Sequence, residues 1–306
     1  MTTLYRADGL LDLETVNKQK IVVVGLGSLG SLVMGNLIYP WREIILVDPE
    51  LLEIDNVERH LLSPHYVGKP KVAGVKDVLV EWGIPAERVI AYHGGVQDIL
   101  YDHGDASLVI VGVDNRKAKI FIDGWARSNN IPMLVGGVYP KGNGGHVVAL
   151  PKPADICYAC AAHALKEDEY AGKQNDDYGL SLEQLLDANG NMHKVPSLKA
   201  PISTIAADMA NMAIRILEGG DVPAHVLYHA IGWETVLTLA SGGLDTQAVT
   251  NFIVRQQAMG ILPNMKLEIS DGRLNLNILN GMLSVQINRW AECPNHSQST
   301  ISLDEI

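Results

Sequence analysis

The stretch that decides the fold is Ile21-Val-Val-Val-Gly25-Leu-Gly27-Ser-Leu-Gly30. Its four β-branched residues predict a buried strand, and the residues from Ser28 to Ile38 carry apolar side chains at helical spacing. The G-x-G-x-x-G turn lies between them. Its first two glycines allow the backbone to turn tightly and approach a phosphate, and Gly30 lets the helix pack close to the strand. The stretch therefore predicts a strand, a nucleotide-binding turn and a helix.

The rest of the first half repeats this alternation of short apolar runs and helical segments. Strands are predicted at Ile44–Val47, Val89–Tyr92, Ala106–Val113 and Pro132–Val138, and helices at Val72–Trp82 and Ala118–Ser128. Strands that alternate with helices of about ten residues predict an α/β fold with a doubly wound, mainly parallel sheet.

The second half has a different pattern. A polar stretch rich in Asp, Asn and Gly, Lys166 to Lys199, predicts a long crossover loop, and a helix is predicted over Pro201 to Leu217. Further elements are predicted by local periodicity: strand pieces at Val226–His229 and Val236–Leu239, a helix at Thr246–Met259, and alternating runs at Met265–Ile269, Leu274–Leu279 and Leu283–Arg289. Turns at Ser270-Asp271-Gly272 and Asn280-Gly281 predict that the last three runs form an antiparallel meander that continues the sheet.

Composition excludes several classes of protein. The 306 residues include 24 Lys and Arg against 35 Asp and Glu, a formal charge of -11, which argues against broad binding to nucleic acid or to an anionic membrane. The charge-free stretch from Ile21 to Trp41 is interrupted by glycines, so it is interpreted as part of the α/β unit and not as a membrane span. Three cysteines are too few for a secreted disulfide framework, and Met1 to Lys20 lacks the apolar core of a signal peptide. We therefore expect a cytoplasmic protein.

Polar residues follow the predicted strand ends. Asp48 ends the second strand, where its carboxylate can accept hydrogen bonds from ribose hydroxyls, and on this evidence alone NAD is the leading ligand. Asn56, Arg59 and Lys71 follow, and Asp114 ends the fourth strand. Two cations and a carboxylate fit a triphosphate with Mg²⁺ better than a nicotinamide. Taken singly, Arg59 and Lys71 would be solvated surface charges, and Asp114 would be the N-cap of the following helix.

The conjunction of these residues resembles the ThiF/MoeB/HesA family of ATP-dependent activating enzymes. The positions that match the family's pattern are the glycines Gly25, Gly27 and Gly30, then Asp48 and Glu50, Asn56 and Arg59, Lys71, and Asp114 and Asn115. The resemblance implies a Rossmann-like fold and adenylation of the C-terminal carboxylate of a ubiquitin-like or sulfur-carrier protein ending in Gly-Gly. The resemblance further implies one continuous domain with three parts: an N-terminal arm or helix (1–20), an ATP-binding half (21–150) and a carrier-binding half (151–306).

The resemblance also implies roles for these residues. Arg59 and Lys71 would neutralise phosphate oxygens, Asp114 would hold Mg²⁺, and Asn56 would orient the α-phosphate. Asp48 would fix the ribose, and Glu50 and Asn115 would complete the nucleotide site. Arg6 resembles an N-terminal arginine that some relatives extend into the ATP site of the partner subunit, and a homodimer is expected on the same ground.

Two ligand pairs, Cys157-Tyr-Ala-Cys160 and Cys293-Pro-Asn-His296, have the x-x spacing of a tetrahedral zinc site. The alternatives are buried structural thiols or a redox C-x-x-C. Family members often carry two C-x-x-C pairs in these places, and here His296 replaces the last cysteine. A structural zinc would tie the C-terminal strands to the loop after Leu150. No cysteine would then remain for a thioester, so the acyl-adenylate would pass to a separate sulfur donor or conjugating enzyme, or to a nucleophile other than a thiol.

Other functions remain open at this point. Some relatives activate a ribosomal peptide or a tRNA-bound carboxylate, although the acidic charge argues against tRNA. A non-catalytic scaffold that pairs with an active homologue would be expected to have lost Arg59, Lys71 or Asp114, and an NAD dehydrogenase would bind nicotinamide. The region from Asp221 to Met282 is longer than a compact member needs, so it is either a docking surface or an addition to the core sheet.

Overall fold

A computed structural model describes residues 10–39, 41–98, 100–138, 144–165, 198–240, 264–270 and 273–296, together with 251 and 254. Its strands are β1 (Lys20–Val24), β2 (Glu43–Val47), β3 (Val89–Tyr92), β4 (Leu108–Val111), β5 (Met133–Val138), β6 (Gly144–Leu150), β7 (His225–Ala240), β8 (Asn264–Ser270) and β9 (Arg273–Gln286). Its α-helices are α1 (Leu13–Val16), α2 (Ser28–Asn36), α3 (Lys71–Glu81), α4 (Arg116–Ser128), α5 (Tyr158–Leu165) and α6 (Lys199–Leu217).

The nine strands form one mixed sheet in the order β3-β2-β1-β4-β5-β6-β7-β9-β8. Strands β1 to β5 pair in parallel, and every pairing from β5–β6 onward is antiparallel. The predicted Rossmann-like fold, a parallel sheet continued by antiparallel strands, is therefore confirmed. Strands β1, β2 and β4 are short, mainly apolar runs whose residues are mostly buried, as expected for a sheet covered on both faces, whereas only Val89 of the edge strand β3 is buried.

Alternate residues of the central strands enter two separate hydrophobic cores. Val22 and Val24 of β1 face one core, where side chains of α4 and α5 pack, including Ile122 and Tyr158. Ile21 and Val23 face the other core, which also contains side chains of α2, α3 and α6. This two-sided covering is the doubly wound arrangement. Among the residues described, no helix is both long and apolar enough to cross a membrane.

Two elements were absent from the sequence-based prediction. Strand β6, Gly-Gly-His-Val-Val-Ala-Leu, begins with two glycines and has little periodicity, yet it pairs with β5 on one side and β7 on the other. Helix α5 directly follows Cys157. The predicted crossover loop lies outside the described residues over 166–197, and its predicted last residue, Lys199, begins α6. The predicted helix at 246–259 also lies outside the described residues, apart from Asn251 and Val254, which are helical.

The predicted turn at Asn280-Gly281 is wrong. Strand β9 runs through these residues to Gln286, and β7 is one strand where two pieces were predicted. The register shifts between Ala230 and Glu234 of β7, so residues 231–233 form a bulge opposite Asn280. Long-range pairing between β7 and β9 therefore prevails over a local turn preference. The hairpin between β8 and β9 is confirmed, since Ser270 pairs with Arg273.

Candidate active site and metal centre

The glycine turn is packed so closely that two of its glycines admit no side chain. Gly25 has φ +85°, and a Cβ there would lie 2.6 Å from Val113 Cγ1. A Cβ on Gly30 would lie 1.9 Å from the carbonyl oxygen of Gly25. Gly27 differs, because nothing lies within 4 Å of where its Cβ would be, and it is the N-cap of α2. The turn thus leaves open space at a helix N-terminus, where backbone N–H groups can bind an anion.

Three strand ends meet at this turn. Val24 of β1 is in register with Val47 of β2 and with Val111 of β4. Since the three strands are parallel, Gly25, Asp48 and the residues leading to Asp114 all leave the same edge of the sheet. Asp114 is exposed. This edge, at the carboxyl ends of the strands, is where open α/β sheets bind their ligands.

Asp48 fastens the turn to β2. Its Oδ2 accepts a hydrogen bond from the Leu26 N–H at 2.6 Å, and its Oδ1 accepts one from the Glu50 N–H at 2.8 Å. The side chain is buried, and burial raises the pKa of the carboxyl group, although the two N–H donors and the charge of Lys71 act in the opposite direction. Each oxygen already has one donor, so its predicted contact with a ribose, which stays a prediction, would use the remaining lone pairs.

Lys71 is held at the same edge by Glu50. The Lys71 ammonium forms an ion pair with the Glu50 carboxylate, and the Lys71 N–H donates to the Glu50 carbonyl oxygen at 3.0 Å. The lysine side chain is 5% exposed, whereas that of Glu50 is 67% exposed. The ammonium at the start of α3 is therefore buried, whereas its partner, the Glu50 carboxylate, is open to solvent.

The predicted Asn56 and Arg59 lie on one 3-10 helix, Ile54–Arg59, and both are half-buried. The Asn56 side chain donates to Asp55 at 3.2 Å. Arg59 acts electrostatically on the ring of the next residue, His60, as does Lys71. The two predicted cations are thus brought to the same neighbourhood, and their roles toward a nucleotide stay predictions.

The N-cap of α4 is Asn115, so the alternative interpretation of Asp114 as that cap is wrong. The Asn115 Oδ1 accepts hydrogen bonds from the N–H groups of Lys117 at 2.8 Å and Ala118 at 3.2 Å. Capping fixes this side chain, which was predicted to bind the nucleotide, and that role stays a prediction. Arg6 lies outside the described residues.

Sequence reasoning missed two residues beside the turn, His60 and Lys199. The His60 ring is buried, contacts the Leu26 carbonyl oxygen through Nε2 at 2.7 Å and accepts from the Leu62 N–H through Nδ1 at 3.0 Å. Lys199, the first residue of α6, donates to the His60 carbonyl oxygen at 2.8 Å. No local pattern signals either residue, because the contacts that place His60 beside the turn and Lys199 beside His60 join positions far apart in the chain.

The four predicted metal ligands come together where the start of α5 meets the chain that follows β9. The ligand atoms of Cys157, Cys160, Cys293 and His296 all lie within 4.8 Å of one another, and the three thiols are buried. Cys157 Sγ is 3.9 Å from Cys160 Sγ and 3.6 Å from Cys293 Sγ. Two sulfurs bound to one tetrahedral zinc, each at about 2.3 Å, would be about 3.8 Å apart, so the geometry fits. These separations are far too long for disulfides.

The protonation of the ligands also fits a metal site. Burial raises the pKa of Cys157 and lowers that of His296, so without a metal a thiol and a neutral imidazole are favoured. The His296 Nδ1 faces the sulfurs, 3.4 Å from Cys160 Sγ. A zinc ion would replace the thiol protons, and the three sulfurs and one nitrogen would complete its four-coordinate shell.

Neighbouring groups orient the cluster. The Trp290 N–H donates to Cys160 Sγ and the Asn295 amide donates to Cys157 Sγ, each at 3.5 Å. Asp123 of α4 accepts a hydrogen bond from the Tyr158 N–H at 2.8 Å, at the first residue of α5. The start of the helix that carries Cys160 is therefore fixed by a buried carboxylate.

Comparison with known proteins identifies the family, since the ThiF family matches residues 2–237. The chain belongs to the ThiF family. Among its ThiF-family relatives is the ubiquitin-like modifier-activating enzyme 5 of Caenorhabditis briggsae, 24% identical over 173 residues, which are 52% of this chain and 40% of that protein. Another is tRNA threonylcarbamoyladenosine dehydratase 1 of Saccharomyces cerevisiae, 31% identical over 128 residues, 39% of this chain and 29% of that protein.

The match to each of these two relatives therefore spans less than half of the relative's own length. Among solved structures, E. coli MccB with ATP superposes with a TM-score of 0.58 at 17% identity. The superposition covers 92% of the present chain and 67% of the MccB chain. This likeness shows the fold and extends it over the antiparallel half, beyond the region matched by the family.

Proposed function

We propose that this chain is an ATP-dependent adenylating enzyme that activates the C-terminal carboxylate of a small ubiquitin-like or sulfur-carrier protein ending in Gly-Gly. One observation carries the proposal. The open N-terminus of α2 at Gly27 lies at the same sheet edge as the buried Lys71 ammonium, in a chain of the ThiF family. Helix N-termini and fixed cations bind phosphate groups, and a nucleoside triphosphate needs both.

The proposed reaction joins the carrier's carboxylate to the α-phosphorus of ATP. A carboxylate oxygen attacks that phosphorus, the bond to the β-phosphate breaks, and pyrophosphate leaves with the electron pair. Negative charges on the two reactants repel each other, so Arg59 and Lys71 are assigned to phosphate oxygens and Asn56 to orientation of the α-phosphate. No general base is required, because a terminal carboxylate is ionised at neutral pH.

Lys71 would exchange partners during this reaction. In the structure its ammonium is paired with Glu50, whose side chain is largely exposed. A phosphate oxygen at the turn could take over the ammonium while the Glu50 carboxylate turns to water or to the nucleotide. The ion pair would thus keep a buried cation compensated until ATP arrives.

Mg²⁺ is assigned to Asp114, which follows β4 at the same edge. Mg²⁺ is typically held by one or two carboxylates together with substrate phosphates, so a single exposed carboxylate fits. When bound, the ion would neutralise charge on the phosphates. The three buried thiols and His296 are assigned to a structural zinc, with no thiol left to form a thioester.

The proposal has consequences for partners. Without its own acceptor thiol, the enzyme would release the acyl-adenylate to a sulfur donor or a conjugating enzyme. The second half, 151–306, is proposed as the carrier-binding half, and the chain is proposed to act in the cytoplasm as a homodimer, with Arg6 reaching the partner's site.

ATP–pyrophosphate exchange tests the function directly. Purified protein is assayed with a panel of small β-grasp proteins ending in Gly-Gly, and exchange is expected with one of them. Arg59→Ala is expected to lower the exchange rate about a hundredfold, the usual effect of removing one charge-stabilising donor, and Asp114→Ala to abolish it.

Arg42→Ala is the matched control. Arg42 is also a partly exposed arginine, but it precedes β2 at the opposite edge of the sheet and pairs with Asp105 at 2.7 Å. Its loss should leave the exchange rate within about twofold. Equal losses in the two arginine variants would contradict the assignment of Arg59. Exchange with a peptide but with no carrier would shift the substrate to a ribosomal peptide, and ATP binding without exchange would favour a non-catalytic scaffold.

A further inference from the structure

Both peptide groups of Leu26 are hydrogen-bonded, and the bond to its carbonyl oxygen is the one that holds the Leu26–Gly27 peptide. The Leu26 N–H donates to Asp48 Oδ2 at 2.6 Å, and the Leu26 carbonyl oxygen lies 2.7 Å from His60 Nε2. In a trans peptide the C=O and the following N–H point in opposite directions. Holding the Leu26 oxygen toward His60 therefore turns the Gly27 N–H away from His60.

The hydrogen bonds of the His60 ring fix its tautomer. Nδ1 accepts from the Leu62 N–H at 3.0 Å, so Nδ1 carries no proton. The proton of the neutral ring must then be on Nε2, which donates it to the Leu26 carbonyl oxygen. The residue is 1% exposed, so water cannot take the place of either bond.

The backbone that carries His60 is itself anchored. Lys199 at the start of α6 donates to the His60 carbonyl oxygen at 2.8 Å. The Leu61 N–H donates to the Ser31 hydroxyl of α2 at 3.3 Å. The ring is thus positioned relative to the glycine turn by two helices.

From these contacts we propose that His60 is a positioning residue for nucleotide phosphate, which holds the Leu26–Gly27 peptide in the orientation that binds an anion. The inference rests on the proposed function. Gly27 has no Cβ and open space beside it, so rotation of this peptide meets little steric resistance. A rotated peptide would present the Leu26 carbonyl oxygen to the phosphate in place of the Gly27 N–H, and the two oxygens would repel each other.

Two substitutions separate the two hydrogen bonds of the ring. In His60→Gln the amide nitrogen can reach the position of Nε2, so the donor to Leu26 is kept. In His60→Asn the shorter amide occupies the position of Nδ1, so the acceptor for the Leu62 N–H is kept and the donor to Leu26 is lost. ATP affinity is measured by calorimetry, and KM for ATP and for the carrier by exchange.

His60→Gln is expected to bind ATP within about threefold of the wild type, and His60→Asn at least about tenfold more weakly. The change should appear in KM for ATP and leave KM for the carrier unaltered. His65→Asn, the same chemical change on an exposed histidine five positions along, should match the wild type. Melting temperatures of all four proteins show whether each is folded.

Wild-type affinity in folded His60→Asn would overturn the positioning role. The positioning role would also be overturned if His60→Gln bound ATP as weakly as His60→Asn does. If His60→Asn does not fold, weak ATP binding by His60→Gln alone would overturn it. A wild-type protein that binds no ATP would instead overturn the proposed function, and the role of His60 with it.

Discussion

His60 remains uncharged until the pH falls well below the range in which histidine ordinarily titrates. Burial lowers the pKa of this imidazole from 6.5 to about 4, and the nearby charges of Lys71, Lys199 and Arg59 act in the same direction, against the hydrogen bond to Leu26. A charged ring would have a proton on Nδ1 and would lose the bond from the Leu62 N–H. The two hydrogen bonds of the His60 ring that hold the glycine turn therefore require the neutral imidazole.

This pKa predicts a pH dependence of stability. Between pH 6.5 and 4 the unfolded chain binds a proton at His60 that the folded chain does not, so the stability present above pH 6.5 is lost as the pH falls. By pH 5 the loss from this group is about 2 kcal/mol. Urea unfolding at pH 8 and pH 5 measures it. The wild type should lose about 2 kcal/mol more than His60→Gln, and equal losses would contradict the assignment.

At the scale of elements, α4 and α5 are joined through Asp123. One carboxylate oxygen accepts from the Tyr158 N–H at 2.8 Å, and the other accepts from Arg127 Nε at 3.1 Å. Burial raises the pKa of Asp123, opposed by these two donors. Helix α5 thus begins at a fixed position on α4, and Cys157 and Cys160 are positioned with it.

Substitution of Asp123 should therefore loosen the metal cluster. Asp123→Ala leaves a buried N–H without its acceptor, which typically costs about 1–3 kcal/mol, whereas Asp123→Asn keeps an acceptor for Tyr158. Zinc transfer from the loaded protein to a chromogenic chelator should be about tenfold faster in the alanine variant and less affected in the asparagine variant. Asp155→Ala, at an exposed carboxylate in the preceding loop, is the control. Unchanged transfer in Asp123→Ala would refute this coupling.

At the scale of the whole molecule, a single sheet extends through both predicted halves, and the metal cluster lies at its antiparallel side. We expect metal analysis to find one zinc per chain. Removal of the zinc by a chelator should lower the melting temperature while ATP affinity stays within about twofold, because the glycine turn belongs to the other half. Loss of ATP binding together with the zinc would show that the metal is more than structural.

The sequence predicts some parts of this architecture much better than others. The parallel strands are predictable because they are short runs rich in apolar residues between helical segments, and the metal ligands because two pairs with x-x spacing are a local signal. The Asn280-Gly281 turn misleads because the same dipeptide is accommodated opposite a bulge of β7. His60 and Lys199 are not predictable, since their contacts join positions 34 and 139 residues apart.

The metal cluster joins α5 to the chain after β9 and so closes a long loop of the chain. Cys157 and Cys293 are 136 positions apart, so closing that loop in an unfolded chain would cost roughly 4–5 kcal/mol of conformational entropy. The pairing of β6, β7 and β9 has already closed it in the folded protein. The two ligand pairs therefore face each other at a high effective concentration, and the folded chain should hold zinc far more tightly than the same ligands do in the denatured chain.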